Sequence, residues 1–319
     1  MQPKLRDIAK DLGVSTATVS NALSGNGRVS AQLRDRIRAK ATAMAYSPSL
    51  QGRALRTGRS GVIGLVLPDI SNPLFPAFAQ SIEAAAEKVG YGVLIADSHG
   101  NAGDQNDALQ RMMRQGADGI VIIPRRGTRM KDIGLPVAVV DTPSTPENSV
   151  SADHKDGGRI AARHLQGLGH RKIALVADSR NSSVQNDRID GMKEAMNPDT
   201  EFRVIWLEDN RKPGFLSLVS EGFTGFIATS DLHALTALTQ FQRGGISVPD
   251  QVSVMGFDDL AFSAAITPSL TTLAQDTDQI ATQAVASLTA QIDGRTPLEK
   301  TVVPMKLIGR DSTKAAPET

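Results

Sequence analysis

The sequence predicts an α/β protein: a small all-α N-terminal domain followed by two larger lobes, each built on an open parallel sheet. Two observations predict this class. Apolar residues recur at helical spacing through the first 46 positions, whereas short β-branched runs alternate with longer amphipathic stretches after Gly61. The second pattern runs from Val62 and starts again near Lys172, and such a repeat of strand–helix units is typical of two similar Rossmann-like lobes.

Charge divides the chain at the same place. Residues 1–60 contain 11 Lys and Arg against 3 Asp and Glu, a net charge of +8, whereas the other residues contain 24 against 31, a net charge of −7. A small basic segment attached to a larger acidic one is typical of a domain that binds a polyanion. A basic surface that is merely solvated is the plain alternative.

The composition also excludes several kinds of site. The chain has no cysteine, which excludes disulfides and thiolate metal sites, and its five histidines lack metal-ligand spacing. We therefore expect no metal and no cofactor. The sequence has neither an apolar run long enough to span a bilayer nor the apolar stretch of a secretory signal, so we expect a cytoplasmic protein without a membrane partner.

The first element is a three-helix domain. Helices are predicted over residues 5–12, 16–23 and 31–44, with Gly13 ending the first and Ser15 capping the second. The second helix presents short, mostly polar side chains on its outward face: Thr16, Ala17, Ser20 and Asn21. Short side chains on a protruding second helix suit insertion into the major groove of DNA. An ordinary three-helix bundle is the alternative, and the turn and the charge favour DNA binding.

The next element is a linker from Tyr46 to Ser60. Pro48 can start a short helix there and Gly58 can end it. A pure tether would be rich in Gly and Ser, but this segment has two leucines and three arginines. We therefore expect a segment that folds on DNA and inserts a leucine between base steps in the minor groove.

These segments resemble the LacI/GalR family of transcriptional regulators. The motifs that carry the resemblance are Lys4-Leu-Arg-Asp-Ile-Ala-Lys, Gly13-Val-Ser-Thr-Ala-Thr-Val-Ser-Asn-Ala-Leu and the hinge-like run from Tyr46 to Leu55. The resemblance implies a helix-turn-helix headpiece over residues 1–46, a hinge over 47–60 and an effector-binding, dimerising core over 61–319.

The resemblance also implies DNA contacts at named positions. Bases would be read by Thr16, Ala17 and Asn21, the DNA backbone would be contacted by Ser15, Thr18 and Ser20, and Leu55 would be the minor-groove wedge. Further DNA contacts are expected at Arg28, Tyr46, Ser49, Gly52 and Arg53. Asn21 stands where the family often has arginine or histidine, and an asparagine pairs best with adenine. Gly52 replaces the usual alanine, so this hinge should depend more on DNA to become helical.

Polar residues follow the predicted strands of both lobes. Ligands of open parallel sheets bind beyond the carboxyl ends of the strands, so we expect these residues to meet in one cleft. The strand-end segments are Pro68–Phe75, Asp97–Ser98, Pro124–Arg126, Asp141–Thr142, Asp178–Ser179, Ser230–Asp231 and Phe257–Asp259. Carboxylates, an arginine and aromatic edges suit a pyranose or furanose. For each residue taken alone, a capping or turn role is the alternative.

Segments of the body resemble the effector core of the same family, which is similar to periplasmic sugar-binding proteins of type I: Val150–Gly158, Val248–Asp259 and Thr267–Leu273. The resemblance implies an N-lobe of about 61–153 and 278–305 and a C-lobe of about 154–277 and 306–319. Effector contacts are then expected at Ser71, Phe75, Asp97, Asp153, Arg188, Phe215, Ser230 and Asp258. Ser230 departs from the frequent asparagine, and the small Thr142 argues against a flat purine.

The sequence thus predicts a DNA-binding repressor controlled by a small sugar-like effector. The absence of a heptad-bearing tail favours a homodimer that reads a near-palindromic operator in double-stranded DNA. Two rival functions are a solute-binding protein without a regulatory task, which the headpiece opposes, and an α/β enzyme using Asp258 with His154 or Arg188. The enzyme is disfavoured because neither an activated nucleophile nor a phosphate-binding glycine loop is present.

Overall fold

The computed structural model describes residues 3–24, 28–46, 58–125, 128, 133–209, 214–296 and 298–317. Backbone contacts divide the chain into one unit of residues Met1–Gly61 and a second of residues Val62–Thr319. Within the described residues, no helix is both long enough and apolar enough to cross a membrane. The predicted α/β class, with a helical headpiece and parallel-sheet lobes, is confirmed.

The first unit is a bundle of α1 (Leu5–Leu12), α2 (Thr16–Ser24) and α3 (Ala31–Ala43). Gly13 ends α1 with a left-handed φ of 66°, a conformation that costs other residues energy, and its N–H donates to the carbonyl of Ala9. The bundle has a small core of fully buried apolar side chains: Ile8, Ala9, Val19, Ala22, Ile37 and Ala41.

The second unit contains two lobes. The N-lobe has a parallel sheet of strand order β2-β1-β3-β4. Its strands and helices are β1 (Val62–Leu67), α4 (Leu74–Lys88), β2 (Gly92–Asp97), α5 (Ala102–Arg114), β3 (Ile120–Ile122) and β4 (Val137–Val139). Helix α5 begins at Ala102, because the side chain of Asn101 accepts a hydrogen bond from Asp104 N and caps the helix there.

The C-lobe has a sheet of strand order β12-β10-β9-β8-β6-β7, parallel except for β12. Its elements are α6 (His154–Gly167), β6 (Lys172–Ala177), α7 (Ser183–Glu194), β7 (Glu201–Trp206), α8 (Phe215–Ser220), β8 (Gly225–Ala228), α9 (Asp231–Arg243), β9 (Ser253–Phe257), a 3-10 turn (Ala261–Ala264), β10 (Thr271–Ala274) and β12 (Lys306–Ile308).

Three short crossovers join the lobes. They follow β5 (Val150–Ala152), β10 and β11 (Thr301–Val303). Between the last two, α10 (Thr277–Ile292) returns to the N-lobe and packs on α4, while β11 pairs with β5. The carboxyl ends of both sheets therefore face the junction between the lobes, where a cleft forms.

Candidate functional site

The headpiece presents the outward face of α2 to solvent. Thr16, Ala17 and Asn21 are exposed, whereas Val19 and Ala22 on the opposite face are fully buried. Ser15 caps the start of the helix, since its Oγ accepts a hydrogen bond from Thr18 N at 3.0 Å. The exposed face therefore carries side chains that lie outside the apolar core of the bundle, as a base-reading helix requires.

Other predicted DNA contacts take different positions. Arg28 is exposed, while Thr18 and Ser20 are half-buried. Tyr46 packs against the apolar core of the bundle, and partial burial raises the pKa of its phenol. Ser49, Gly52, Arg53 and Leu55 lie outside the described residues.

The cleft of the body has a volume of about 420 Å³, within the range of small-molecule sites. Its lining comes from strand ends of both sheets and from α4, α7 and α9. Four of the predicted effector residues line it: Phe75, Arg188, Ser230 and Asp258.

Arg188 is the buried centre of this cleft, with 3% of its surface exposed. Its Nη2 donates to Asp258 Oδ1 at 2.9 Å, and its Nη1 donates to the carbonyl of Thr229 at 2.5 Å. Gln275 Nε2 also donates to Asp258 Oδ1, at 2.8 Å. Because both donors use Oδ1, Oδ2 is the oxygen of Asp258 left to accept from a hydroxyl. The pair is charge-compensated before any ligand enters.

Two glycines set the position of Arg188. Helix α7 packs closely on α6, where a Cβ atom on Gly191 would collide with the carbonyl of Lys155. A Cβ atom on Gly158 would collide with the carbonyl of Arg188 itself. The Arg188-x-x-Gly191 spacing therefore brings the arginine against the base of the cleft at a fixed depth.

His154 links Arg188 to the N-lobe. Its Nδ1 accepts from Arg188 Nε at 3.3 Å, so the ring proton lies on Nε2. Burial, together with the Arg188 charge, holds the pKa of His154 well below its usual range, despite a hydrogen bond with the backbone of Asp141. The imidazole is therefore neutral near pH 7 and acts as a fixed connector.

A second imidazole in the cleft belongs to His233. Its Nδ1 is buried and has no hydrogen-bond partner among the described residues. Burial lowers the pKa of His233, although Asp178 and Asp258 oppose the shift. A buried atom of this kind is costly unless a ligand or water satisfies it, so His233 is a further candidate for a polar contact.

Sequence reasoning missed Gln185, Gln275 and His233 as cleft residues. Gln185 Oε1 accepts from Asp178 N at 2.6 Å and from Thr229 Oγ1 at 3.2 Å. Two signals in the sequence could have indicated the two glutamines. Gln185 precedes Arg188 by one helical turn, and Gln275 directly follows a strand.

Four predicted effector residues are not brought to the cleft lining. Ser71 is exposed and donates to Asp69 Oδ1 at 2.7 Å in a local turn. The Asp97 carboxylate accepts from His99 N at 3.0 Å, and Asp153 caps α6 by accepting from Asp156 N at 2.9 Å. Phe215 is fully buried in the C-lobe core.

Phe215 is in the core because α8 packs it against other rings. Its centroid lies 6.2 Å from that of Phe226 and 6.1 Å from that of Phe241. This aromatic cluster contributes to the second apolar core of the C-lobe, on the opposite side of the sheet strands from Arg188. The structure therefore removes Phe215 from the candidate site.

Comparison with known proteins assigns both regions. The profile described as bacterial regulatory proteins of the lacI family matches residues 4–49, and that of the periplasmic binding protein-like domain matches residues 162–313. The chain is 30% identical to the HTH-type transcriptional regulator DegA of Bacillus subtilis (strain 168), over 98% of both chains. It is 29% identical to a ribose operon repressor of Lactococcus lactis subsp. lactis (strain IL1403), over 97% of this chain and 98% of the relative.

A solved structure extends the similarity to the whole chain. The lac repressor dimer bound to operator and the anti-inducer ONPF superposes with a TM-score of 0.84 at 25% identity, covering 99% of this chain and 100% of that one. These relatives are transcriptional regulators and not enzymes. The chain therefore belongs to the lacI family of bacterial regulatory proteins and is a DNA-binding transcriptional regulator.

Proposed function

We propose that this regulator is a repressor whose dimer binds a near-palindromic operator and whose hold on that operator is controlled by a sugar-like effector in the cleft. The observation that carries the proposal is the cleft itself. Strand-end carboxylates, the compensated Arg188–Asp258 pair and Phe75 line one cavity between two lobes. Such a set binds neighbouring hydroxyls on one side and an apolar ring face on the other.

The DNA-binding role is assigned to the first 60 residues. Residues 1–46 would form the headpiece, residues 47–60 would join it to the core, and residues 61–319 would bind effector and dimerise. Thr16, Ala17 and Asn21 would read bases, while Ser15, Thr18, Ser20, Arg28 and Tyr46 would contact the DNA backbone. The exposure of the α2 face supports this assignment, and so does the dimer–operator complex of the lac repressor.

The effector site is assigned to the residues that meet in the cleft. Asp258, Arg188, Ser230 and His233 would bind hydroxyls, and Phe75 would cover a ring face. Asp97, Asp153 and Ser71 would act by shaping the strand ends and helix start through their local hydrogen bonds. One relative is a ribose operon repressor, which makes pentoses the first sugars to test.

Effector binding and operator binding would be coupled through the relative arrangement of the two lobes. A ligand that binds differently in two lobe arrangements shifts their equilibrium, and in a dimer this would alter whether both hinges can engage DNA. We place the protein in the cytoplasm, where operator DNA lies.

The proposal can be tested with the purified full-length protein. Repeated selection from a random duplex library should enrich a near-palindrome. The affinity for that duplex should fall as the salt concentration rises, because contacts to phosphates release counterions. Fluorescence anisotropy on that duplex, with pentoses, hexoses, sugar acids and polyols added in turn, should then reveal a sugar that changes affinity by roughly 5- to 150-fold.

Two variants separate the halves of the proposal. Asn21→Ala should weaken operator binding but leave the response to sugar intact. Arg188→Met should abolish the response but leave operator recognition. If no duplex is enriched over random DNA, or if every bound sugar leaves operator affinity unchanged, the proposal is wrong.

A further inference from the structure

A carboxylate of the C-lobe is bonded to hydroxyls of the N-lobe at the lobe junction. Asp187 on α7 lies beside the segment that follows β4. Ser144 Oγ lies 3.1 Å from both carboxylate oxygens of Asp187. Thr142 Oγ1 donates to Asp187 Oδ2, and Thr142 is fully buried. These hydrogen bonds join the two lobes directly, apart from the three chain crossovers.

The N-lobe side of this contact is preformed. Thr145 N donates to the carbonyl of Thr142 at 2.9 Å, and Asn148 N donates to that of Thr145 at 3.1 Å. Asp141 N in turn donates to Asn148 Oδ1 at 3.0 Å. Both hydroxyl donors are therefore held by turns that do not involve Asp187, and the contact joins two ordered elements.

The C-lobe side is tied to the cleft. Asp187 precedes Arg188, whose guanidinium is bonded to Asp258, Thr229 and His154. Because the two residues are adjacent, a movement of this turn of α7 along the N-lobe would break the Asp187 hydrogen bonds and displace Arg188 at the same time. A ligand that contacts Arg188 would therefore act on the same turn that carries the interlobe contact.

The contact is made at an electrostatic cost. Burial, aided by the negative charge of Asp187, raises the pKa of Asp141 to about 6, although Thr145 donates a hydrogen bond to the Asp141 carboxylate. Two carboxylates from different lobes thus share the junction. The Asp187 carboxylate therefore lies near a second carboxylate as well as its two hydroxyl donors, and this repulsion offsets part of the gain from the contact.

We propose that Asp187 is an interlobe latch: its bonds to Thr142 and Ser144 hold the lobes in the arrangement of this structure and set how readily an effector can change it. The proposal rests on the proposed function only for the effector. The latch itself is a property of the two lobes and can be measured without any ligand.

The chain has no cysteine, so spin labels can be placed at will. Gln110→Cys on the exposed face of α5 and Gln242→Cys on α9 would put one label on each lobe of the full-length protein. Pulsed electron–electron double resonance then gives the distribution of distances between the two labels, and so between the two lobes. Asp187→Ala should add a second population displaced by roughly 5 Å, the scale of a one-turn shift. Loss of two hydrogen bonds should change the population ratio by about tenfold or more.

Three further variants make the test specific. Asp190→Ala, on the same helix, removes an exposed carboxylate. Asp190 Oδ1 lies 3.6 Å from Lys193 Nζ within α7, so this variant should leave the distance distribution unchanged. Thr142→Val combined with Ser144→Ala should reproduce the Asp187→Ala result, and Asp187→Asn, which keeps one acceptor oxygen, should restore most of the original distribution.

If the contact merely added stability, Asp187→Ala would lower the melting temperature and leave the interlobe distances unchanged. A single unshifted distribution for Asp187→Ala would overturn the latch. Failure to find an operator or a sugar would overturn the proposed function and leave this measurement as it stands.

Discussion

The headpiece and the cleft use polar side chains in opposite ways. On α2, Thr16, Ala17 and Asn21 are exposed, and the bundle is held by a separate apolar core. In the cleft, Arg188 and Asp258 are 3% and 9% exposed and are bonded to each other. Under the proposed function, DNA recognition lies on residues outside the apolar core of the bundle, whereas effector recognition lies on buried residues that are bonded to each other in the C-lobe. A substitution on α2 should therefore change DNA binding without changing stability, whereas a substitution of Arg188 or Asp258 should change both effector binding and stability.

The largest expected effect tests the cleft side of this difference. Arg188→Met should lower effector affinity by roughly 100-fold or more. It should also lower the free energy of unfolding by about 3–5 kcal/mol, because the Asp258 carboxylate is left buried without its cation. Isothermal titration with the effector and urea denaturation measure the two losses.

A second substitution distinguishes the cause. Asp258→Asn added to Arg188→Met should recover a large part of the lost stability, since no buried charge is then left unpaired, but none of the binding. If Arg188→Met is as stable as the wild type, the Arg188–Asp258 pair does not stabilise the C-lobe, and the difference drawn between the headpiece and the cleft is wrong.

Asp231 should give the next effect, on the pH dependence of stability. It is fully buried and accepts from Leu260 N, Ser263 Oγ and Thr272 Oγ1. Burial, and then the charge of Asp258, raises the pKa of Asp231 from 3.8 to about 6. The folded protein therefore binds this proton more tightly than the unfolded chain, so the contribution is full below pH 4 and is lost as the pH rises through 6. The loss is roughly 3 kcal/mol.

Asp231→Asn should remove this part of the slope when urea denaturation is repeated between pH 4 and pH 7.5. Asp250 provides a control of opposite sign, because its hydrogen bond from Lys314 lowers its pKa, so that its contribution is present at neutral pH and is lost on acidification. Parallel curves for the wild type and Asp231→Asn would contradict the prediction.

The same contrast explains what the sequence could predict. The helical spacing of Ile8, Val19 and Ile37 indicates the headpiece core, and the polar residues left over are its exposed face. In the body, Ser230 and Asp153 have the same local pattern, yet Ser230 lines the cleft and Asp153 does not. Capping and binding use the same residue types, and only the tertiary structure separates them.

Long-range pairing sets the remaining limit. Arg188 meets Asp258 across 70 positions, and Gln275 joins them from a crossover between the lobes. Phe215 shows the opposite case: the family resemblance implies a ligand contact, but packing against Phe226 places its ring in the C-lobe core. No periodicity in one segment encodes such partners.

The smallest expected effect lies on the headpiece and tests the other side of the comparison. Asn21→Ala should weaken binding to the selected operator by about 1–3 kcal/mol, the cost of one good base contact, while binding to random duplex stays the same. Because Asn21 is exposed on α2, thermal unfolding and the effector affinity of the core should not change. Anisotropy titrations on both duplexes, with melting curves alongside, check each part.

Arg28→Ala is the matched control, since this exposed arginine is expected to contact phosphate and not a base. Its loss should weaken operator and random duplex alike and reduce the slope of log affinity against log salt by about 1. Asn21→Ala should leave that slope unchanged, because an uncharged amide releases no counterion. If both variants lost affinity equally on the two duplexes, α2 would be a backbone-binding helix and base reading would have to lie elsewhere. A drop in melting temperature for Asn21→Ala would instead show that the headpiece, like the cleft, uses its recognition residues to fold.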